Sequence, residues 1–414
     1  MRLTALLCLS SLGALASPLD LFGYTPRGTA MAGALTAGGD ALTGAFYNPA
    51  LLPLQQKTEL AFGLSDTLPA LHVDRELASS ALATALPDSA PRFEIGAVIP
   101  IRGKVFLGVA GSFPVNRLLR LENLDAARPQ FLLYQSKPQR FHLSLEAGVR
   151  LLPKLSLGAG LLVSQSQSGS YRFGLDVADR VVTTRESHVD AVFSPSFTLG
   201  ALYDLGDSLR LGFSWRSPQS AHTDVPTIFD LQGLGTLQIS TASTSLYWPH
   251  VLSGGAAFRT AELLLTAQLD LQLWSLASSE EVQFTILPTG QVLTDSGLSD
   301  LLGFDAEPRP AGLHTVLIPR AAVEYKGLYR AGIAYKPAIT SDQTGLSSYL
   351  DNATLTLGAG ASLPLGEGLS VEAALSASVL FERRMQKASA QSPTGNASFG
   401  GALISGSAMI HYTY

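Results

Sequence analysis

Along most of the chain, apolar residues recur at every second position for about ten residues and then give way to a turn. This is the period of a strand whose two faces meet different surroundings. The clearest run sets Phe141, Leu143, Leu145, Ala147, Val149 and Leu151 against His142, Ser144, Glu146, Gly148 and Arg150. After the turn Pro153-Lys154, Leu155, Leu157, Ala159, Leu161 and Val163 alternate with Ser156, Gly158, Gly160 and Ser164, which predicts a hairpin. The same pattern places Leu209, Leu211, Phe213 and Trp215 against Arg210, Gly212, Ser214 and Arg216, and it recurs over 263–273 and 369–381.

Alternation alone fits either a soluble sandwich or a membrane barrel. Three features separate them. The runs are about ten residues long, enough to cross a bilayer at a tilt, whereas soluble strands average about five or six. Connections alternate between very short (Arg102-Gly103, Pro153-Lys154, Gly206-Asp207, Gly366-Glu367-Gly368) and long (114–138, 167–186, 217–235, 275–313), the asymmetry of bacterial outer-membrane barrels. The chain ends inside a strand, with Ile410, Tyr412 and Tyr414 on one face. Such a terminal aromatic resembles the signal read by the barrel-assembly machinery, and it also suits the aromatic belt at a membrane interface. Strands are expected at 57–66, 92–100, 104–113, 140–152, 154–165, 188–205, 208–216, 244–258, 262–274, 315–326, 328–337, 353–363, 369–381 and 399–414. The fold class is therefore all-β: a transmembrane antiparallel barrel of about 14 strands with both ends on the periplasmic side.

Composition agrees. The 414 residues are 46% hydrophobic but only 15% charged, against roughly 25% charged in an average soluble domain. Mean hydropathy is +0.23, and no apolar run approaches the ~20 residues of a spanning helix. A net charge of -5 with dispersed Lys and Arg provides no basic stripe for nucleic acid. Arg2, an apolar stretch over 3–15 and Ala14-Leu15-Ala16 read as a secretory signal cleaved after Ala16. The single cysteine, Cys8, lies inside it, so the mature chain has no disulfide or cysteine metal site. A lipidated Cys8 is the alternative, disfavoured because Leu7 precedes it.

The division is thus 1–16 signal peptide, 17–56 plug and 57–414 barrel. Fourteen strands enclose a lumen too wide for wall side chains to fill. Segment 17–56 is rich in Gly, Ala and Thr, is broken by Pro26, Pro49 and Pro53, and shows no period of two, so it is the candidate plug. Within it, the run from Gly23-Tyr24-Thr25-Pro26-Arg27-Gly28 to Met31-Ala32-Gly33-Ala34, then Gly38-Gly39-Asp40-Ala41 and Phe46-Tyr47-Asn48-Pro49-Ala50-Leu51-Leu52, resembles the N-terminal hatch of the FadL-type outer-membrane transporters. The stretches 199–203, 209–218 and 329–337 resemble that family too.

The resemblance implies a hatch inside a 14-stranded barrel, an Asn-Pro-Ala motif in the hatch, and passive uptake of hydrophobic molecules such as long-chain fatty acids or aromatic hydrocarbons. Gly28, Asn48, Pro49 and Ala50 are the expected hatch and gate residues. Pro49 restricts Asn48 to extended backbone and leaves its side chain able to brace a turn. The family's kinked third strand, with lateral release into outer-membrane lipid, maps onto the strand carrying Gly103, Gly108 and Gly111, although strand glycines equally serve close packing. Leu118, Leu121 and Leu124 at helical spacing, followed by Phe131 and Tyr134, suggest a hydrophobic capture loop or a small loop helix packed on a neighbour. Arg150, Arg210 and Arg330, along with Arg216, are candidate headgroup contacts, or else partners of Glu146, Asp204, Glu324, Glu372 or the hatch.

Seven histidines are scattered without metal-ligand spacing, and no nucleophile elbow occurs. No catalytic residue, metal or cofactor is expected, and closure of the barrel makes a monomer sufficient. Two alternatives stand beside transport: a structural or secretion-associated barrel that binds a partner protein at its mouth, and an outer-membrane lipase.

Overall fold

A computed structural model describes residues 18–76, 86–102, 104–115, 129–134, 141–176, 181–231, 235–277, 283–297, 304–306, 312–345, 348–388 and 395–414. The export segment 1–16, Gly103 and the loop residues Leu118, Leu121 and Leu124 lie outside these.

Each of the fourteen periodic segments contains a barrel strand. They are β1 Glu59–Arg75, β2 Arg92–Arg102, β3 Val105–Pro114, β4 His142–Leu152 and β5 Leu155–Asp176. Next come β6 Val181–Leu205, β7 Leu209–Arg216, β8 Val251–Arg259, β9 Leu263–Gln272 and β10 Val316–Tyr325. The last are β11 Tyr329–Lys336, β12 Thr354–Gly366, β13 Leu369–Met385 and β14 Ala397–Thr413. Each pairs antiparallel with the next. β14 returns to β1, with Glu59 opposite Thr413, and the wall is closed.

The two faces separate as the alternation requires. Leu145, Leu269 and Leu375 point out and are 47–66% exposed, while Glu146, Gln268 and Asp270 point in and are buried. Tyr325, Tyr329, Tyr412 and Tyr414 stand on the outside near the short turns, the place of an interfacial aromatic girdle.

The strands differ from expectation at the long-loop end. β5 and β6 continue past the expected loop 167–186 as one hairpin. The expected loop 217–235 is largely a strand, Gln219–Leu231, paired with Gly235–Trp248 and, in parallel, with the far end of β5. Beyond the lipid band both faces of a strand meet water, so the apolar alternation that marks a spanning strand is absent there. Segment 244–258 is not one strand but two, broken at Pro249-His250. Proline there has no N–H to give the ladder.

The N-terminal segment lies inside the wall. Helix α1 (Pro18–Phe22), α2 (Thr25–Ala30), α3 (Ala41–Gly44) and a 3₁₀ turn (Pro49–Leu54) follow one another, and residues 24–39 and 48–53 are all buried. Pro26 sits in the first turn of α2, where its missing N–H costs nothing. Asp40 caps α3: its Oδ1 accepts from the Thr43 N–H at 2.8 Å, while the Asp40 N–H donates to Thr43 Oγ1 at 3.0 Å.

Candidate functional site

The lumen is layered, and the lowest layer is the N-terminal segment resting on the wall. Asn48, fully buried, donates from Nδ2 to Thr36 O at 2.7 Å and to Ala201 O on β6 at 3.3 Å, and its Oδ1 accepts from the Ala50 N–H at 3.1 Å. One amide thus ties three stretches of backbone. Pro49 and Ala50 lie directly on the wall, because β4, β5 and β6 present Gly148, Gly158 and Gly200 at that level. A methyl on Gly148 would stand 2.6 Å from Pro49 O. Inward glycines recur at the same seat on other strands: Gly96, Gly108 and Gly212 on one side, Gly332 and Gly358 opposite. Where the wall has side chains instead, at Thr266 and Arg320, the segment supplies Gly38 and Gly33.

Charges reinforce this contact toward the short-turn end. Arg27 of α2 pairs with Glu324 at 2.8 Å, Arg330 bridges Glu324 at 2.6 Å and Glu372 at 2.8 Å, and His411 reaches Glu59 at 3.1 Å. Gly28 makes room for Tyr47, whose Oη would lie 2.5 Å from a methyl there and accepts from the Tyr24 N–H at 3.0 Å. Burial raises the Tyr24 and Tyr47 phenols, so both remain protonated. Tyr24 donates to Ile95 O at 2.6 Å.

Above the segment is an enclosed polar chamber of about 50 Å³, lined by Asp20, Thr36, Ser214, Arg216, Gln268 and Asp270 among others. It is large and polar enough for a few waters. Arg216 Nη1 grips Asp20 at 2.7 Å, Nη2 donates to Phe46 O at 3.0 Å, and the guanidinium lies 4.4 Å over the Phe46 ring. Arg320 is held by Asp270 at 2.6 Å and donates to Ala32 O at 2.6 Å.

The layer nearest the long loops is apolar. Trp248 and Trp274 meet edge to face with ring centroids 5.3 Å apart, and Val251, Val316, Ile318, Leu380, Phe399 and Leu403 surround them. Phe131, Leu132, Leu133 and Tyr134 descend into this cluster from the β3–β4 connection and are at most 5% exposed. Gln130–Phe131 forms a short parallel bridge with Tyr349–Leu350. Beside them remains a void of about 40 Å³, which also touches Asp20, Arg320 and Lys336.

Several expected site residues therefore sit elsewhere than the sequence suggested. Phe131 and Tyr134 do not form an exposed capture patch; they fill the mouth from within, because an apolar cluster on β8–β14 offers them a better place than water. Arg150 donates to Pro53 O at 3.2 Å, and Arg210 to Asp204 at 2.8 Å. These two and Arg330 are engaged at the short-turn end, far from the aromatic layer. Nor is the pairing of β3 broken at Gly108 or Gly111. Its ladders run unbroken from Phe106 to Ser112, and the irregularity in its pairing with β2 falls at Pro100–Arg102. Gly108 is a seat for the segment, since a methyl there would meet Leu52 Cδ2 at 2.5 Å. The sequence reading missed the inward glycines as a set, and it missed Trp248 and Trp274. The first had a signal, one glycine on the polar face of strand after strand.

Comparison with known proteins agrees with this architecture. A family described as outer membrane protein transport protein (OMPP1/FadL/TodX) matches residues 14–273. Alkane uptake protein A of Marinobacter nauticus is 24% identical over 370 residues, covering 82% of this chain and 77% of that protein. Among solved structures, a FadL homologue of Pseudomonas aeruginosa superposes with a TM-score of 0.61 at 15% identity, covering 97% of this chain and 99% of its own. The toluene transporter TodX of Pseudomonas putida gives 0.57 at 14% identity, covering 95% and 99%. The chain belongs to the OMPP1/FadL/TodX family of outer-membrane transport proteins, as a closed 14-stranded barrel.

Proposed function

We propose that the chain is exported by a signal peptide cleaved after Ala16, acts as a monomer, and lets uncharged hydrocarbons cross the outer membrane passively. Solute is taken up at the long-loop mouth, held in the aromatic layer, and released sideways above a hatch formed by residues 17–56. The layering of the lumen carries this reading. An apolar solute gains by entering the Trp248–Trp274 layer and loses by entering the polar chamber beneath it, and below that the backbone of the hatch rests on the wall. We put the sideways exit at the β3–β4 seam, whose pairing among the described residues ends at Ser112 opposite His142.

Ion pairing favours hydrocarbon over ionised fatty acid. The cations that touch the upper void, Arg320 and Lys336, are held by Asp270 at 2.6 Å and Asp351 at 3.2 Å. A carboxylate headgroup would have to displace a protein carboxylate. The alkane and toluene named for the similar proteins fit the same chemistry.

The test is uptake of radiolabelled hexadecane and toluene by a host lacking other outer-membrane carriers. Uptake well above the empty-vector rate is expected. A rate equal to empty vector, with folded barrel demonstrated in the outer membrane by heat-modifiable gel migration, overturns the proposal. A disulfide across the seam, Phe113→Cys with Phe141→Cys, that left uptake unchanged would overturn the sideways exit alone.

A further inference from the structure

The mouth of the barrel is filled by the chain itself, and by the wrong kind of residue for a loop. Four consecutive apolar side chains, Phe131 to Tyr134, leave the surface and enter the lumen. Their backbone is tied to the neighbouring mouth segment by the Gln130 N–H to Ser348 O at 3.2 Å and the Leu132 N–H to Leu350 O at 2.9 Å. What they cover is an aromatic wall with a void of about 40 Å³. A dry cavity that admits benzene measures about 150 Å³, so the site is shut to any hydrocarbon while Leu133 and Tyr134 are in it. Trp248 and Trp274, only 2% and 1% exposed, line that void.

Resting on the transport reading above, we infer that Leu133 and Tyr134 occupy the place of the solute, and that an uncharged apolar solute binds against Trp248 and Trp274 by displacing them. The exchange conserves burial: apolar side chain leaves the aromatic wall as apolar solute arrives. The displaced tetrad then lies at the mouth as an apolar surface, so one segment serves as occluder when in and as capture surface when out. Binding is weakened by the fraction of time that the tetrad is in place.

The chain has three tryptophans, and Trp215 lies on the wall away from the void, stacked on His250. Trp215→Phe therefore leaves the two pocket indoles as the only reporters. Bromobenzene, which quenches indole by its heavy atom, is titrated into this protein in detergent, with free indole in the same micelles as reference. The same titration is run with Leu133→Ala/Tyr134→Ala added and with the milder Leu133→Ala alone. Quenching in the parent is expected at a rate that levels off with concentration, because opening precedes binding. The double variant is expected to bind about tenfold more tightly or better, with a rate linear in concentration, and the single variant to fall between. Equal affinity and equal rates in all three overturn the displacement. No quenching beyond the micelle reference in any of them, with heat-modifiable migration intact, overturns the site. Hydrocarbon uptake in cells decides the transport reading separately, so the two failures are distinguishable.

Discussion

Removing the Asn48 side chain should loosen the N-terminal segment without harming the barrel. In Asn48→Ala, Ala201 O keeps its place in a strand, but Thr36 O and the Ala50 N–H lose their partners at 2.7 and 3.1 Å in a fully buried site. Each buried polar group left unpaired costs about 1–3 kcal/mol, so the seat weakens by about 2–6 kcal/mol. At about 1.4 kcal/mol per tenfold, that is roughly a 30-fold to 10⁴-fold rise in the unseated fraction. Asn48→Asp should be at least as damaging, since a carboxylate would accept from Ala50 but face Thr36 O and Ala201 O with no proton to give. Single-channel recording in planar bilayers reads the effect as large-conductance openings of the emptied lumen, and heat-modifiable migration reports the wall. An opening frequency in Asn48→Ala equal to that of the native chain, with the wall intact, would refute the assignment of Asn48 as the tie.

The other predictions concern separate contacts. Gly158→Val, which drives a side chain into Pro49 and the Ala50 N, should raise the same openings at a cost of about 1–3 kcal/mol or more, whereas Gly254→Val on the outer face, with nothing within 4 Å, should be silent. Arg320→Met should lower thermal stability by about 3–5 kcal/mol by stranding Asp270, and Arg320→Met/Asp270→Leu should recover most of it. Methyl palmitate should compete with bromobenzene for the tryptophan layer at lower concentration than ionised palmitate; the reverse order would show an available cation. Burial lowers Lys387 to about 8, below its unfolded value of about 10.4, so its charge opposes folding fully below pH 8 and ceases to as pH rises toward 10. Protection of the Ala388 amide should grow over that window, after correction for intrinsic exchange, and should not in Lys387→Met.

The fold was legible because lipid and lumen impose opposite demands on adjacent residues. Phe141 to Leu151 against His142 to Arg150 can be read with no further information, and β4 is that strand. Gln219–Leu231 was not legible, because water on both faces sets no period. The site was less so. Asn48-Pro49-Ala50 stood out as local chemistry, but what Asn48 grips, Thr36 O and Ala201 O, is set by closure of the wall. Phe131 and Tyr134 were visibly apolar. Whether such a loop faces water or turns inward depends on the β8–β14 surface it finds, and that surface is assembled from strands far away in sequence. The arginines were visibly inward; their pairing with Glu324, Glu372 and Asp204 depends on register.

The glycine seats bear on how the molecule is made. Wall glycines meet the backbone of the segment on β4 to β7 and again on β11 and β12, and Gly38 locks against Thr266 while Gly33 locks against Arg320, so seating the segment inside a finished cylinder would require all of these contacts to be found at once. Strands that add around it would instead find their level one at a time, where an inward glycine meets the segment. Residues 17–56 would then act as a mandrel that sets the diameter and stagger of the wall during biogenesis. A chain synthesised without them should close slowly and in mixed registers, even though every strand is present.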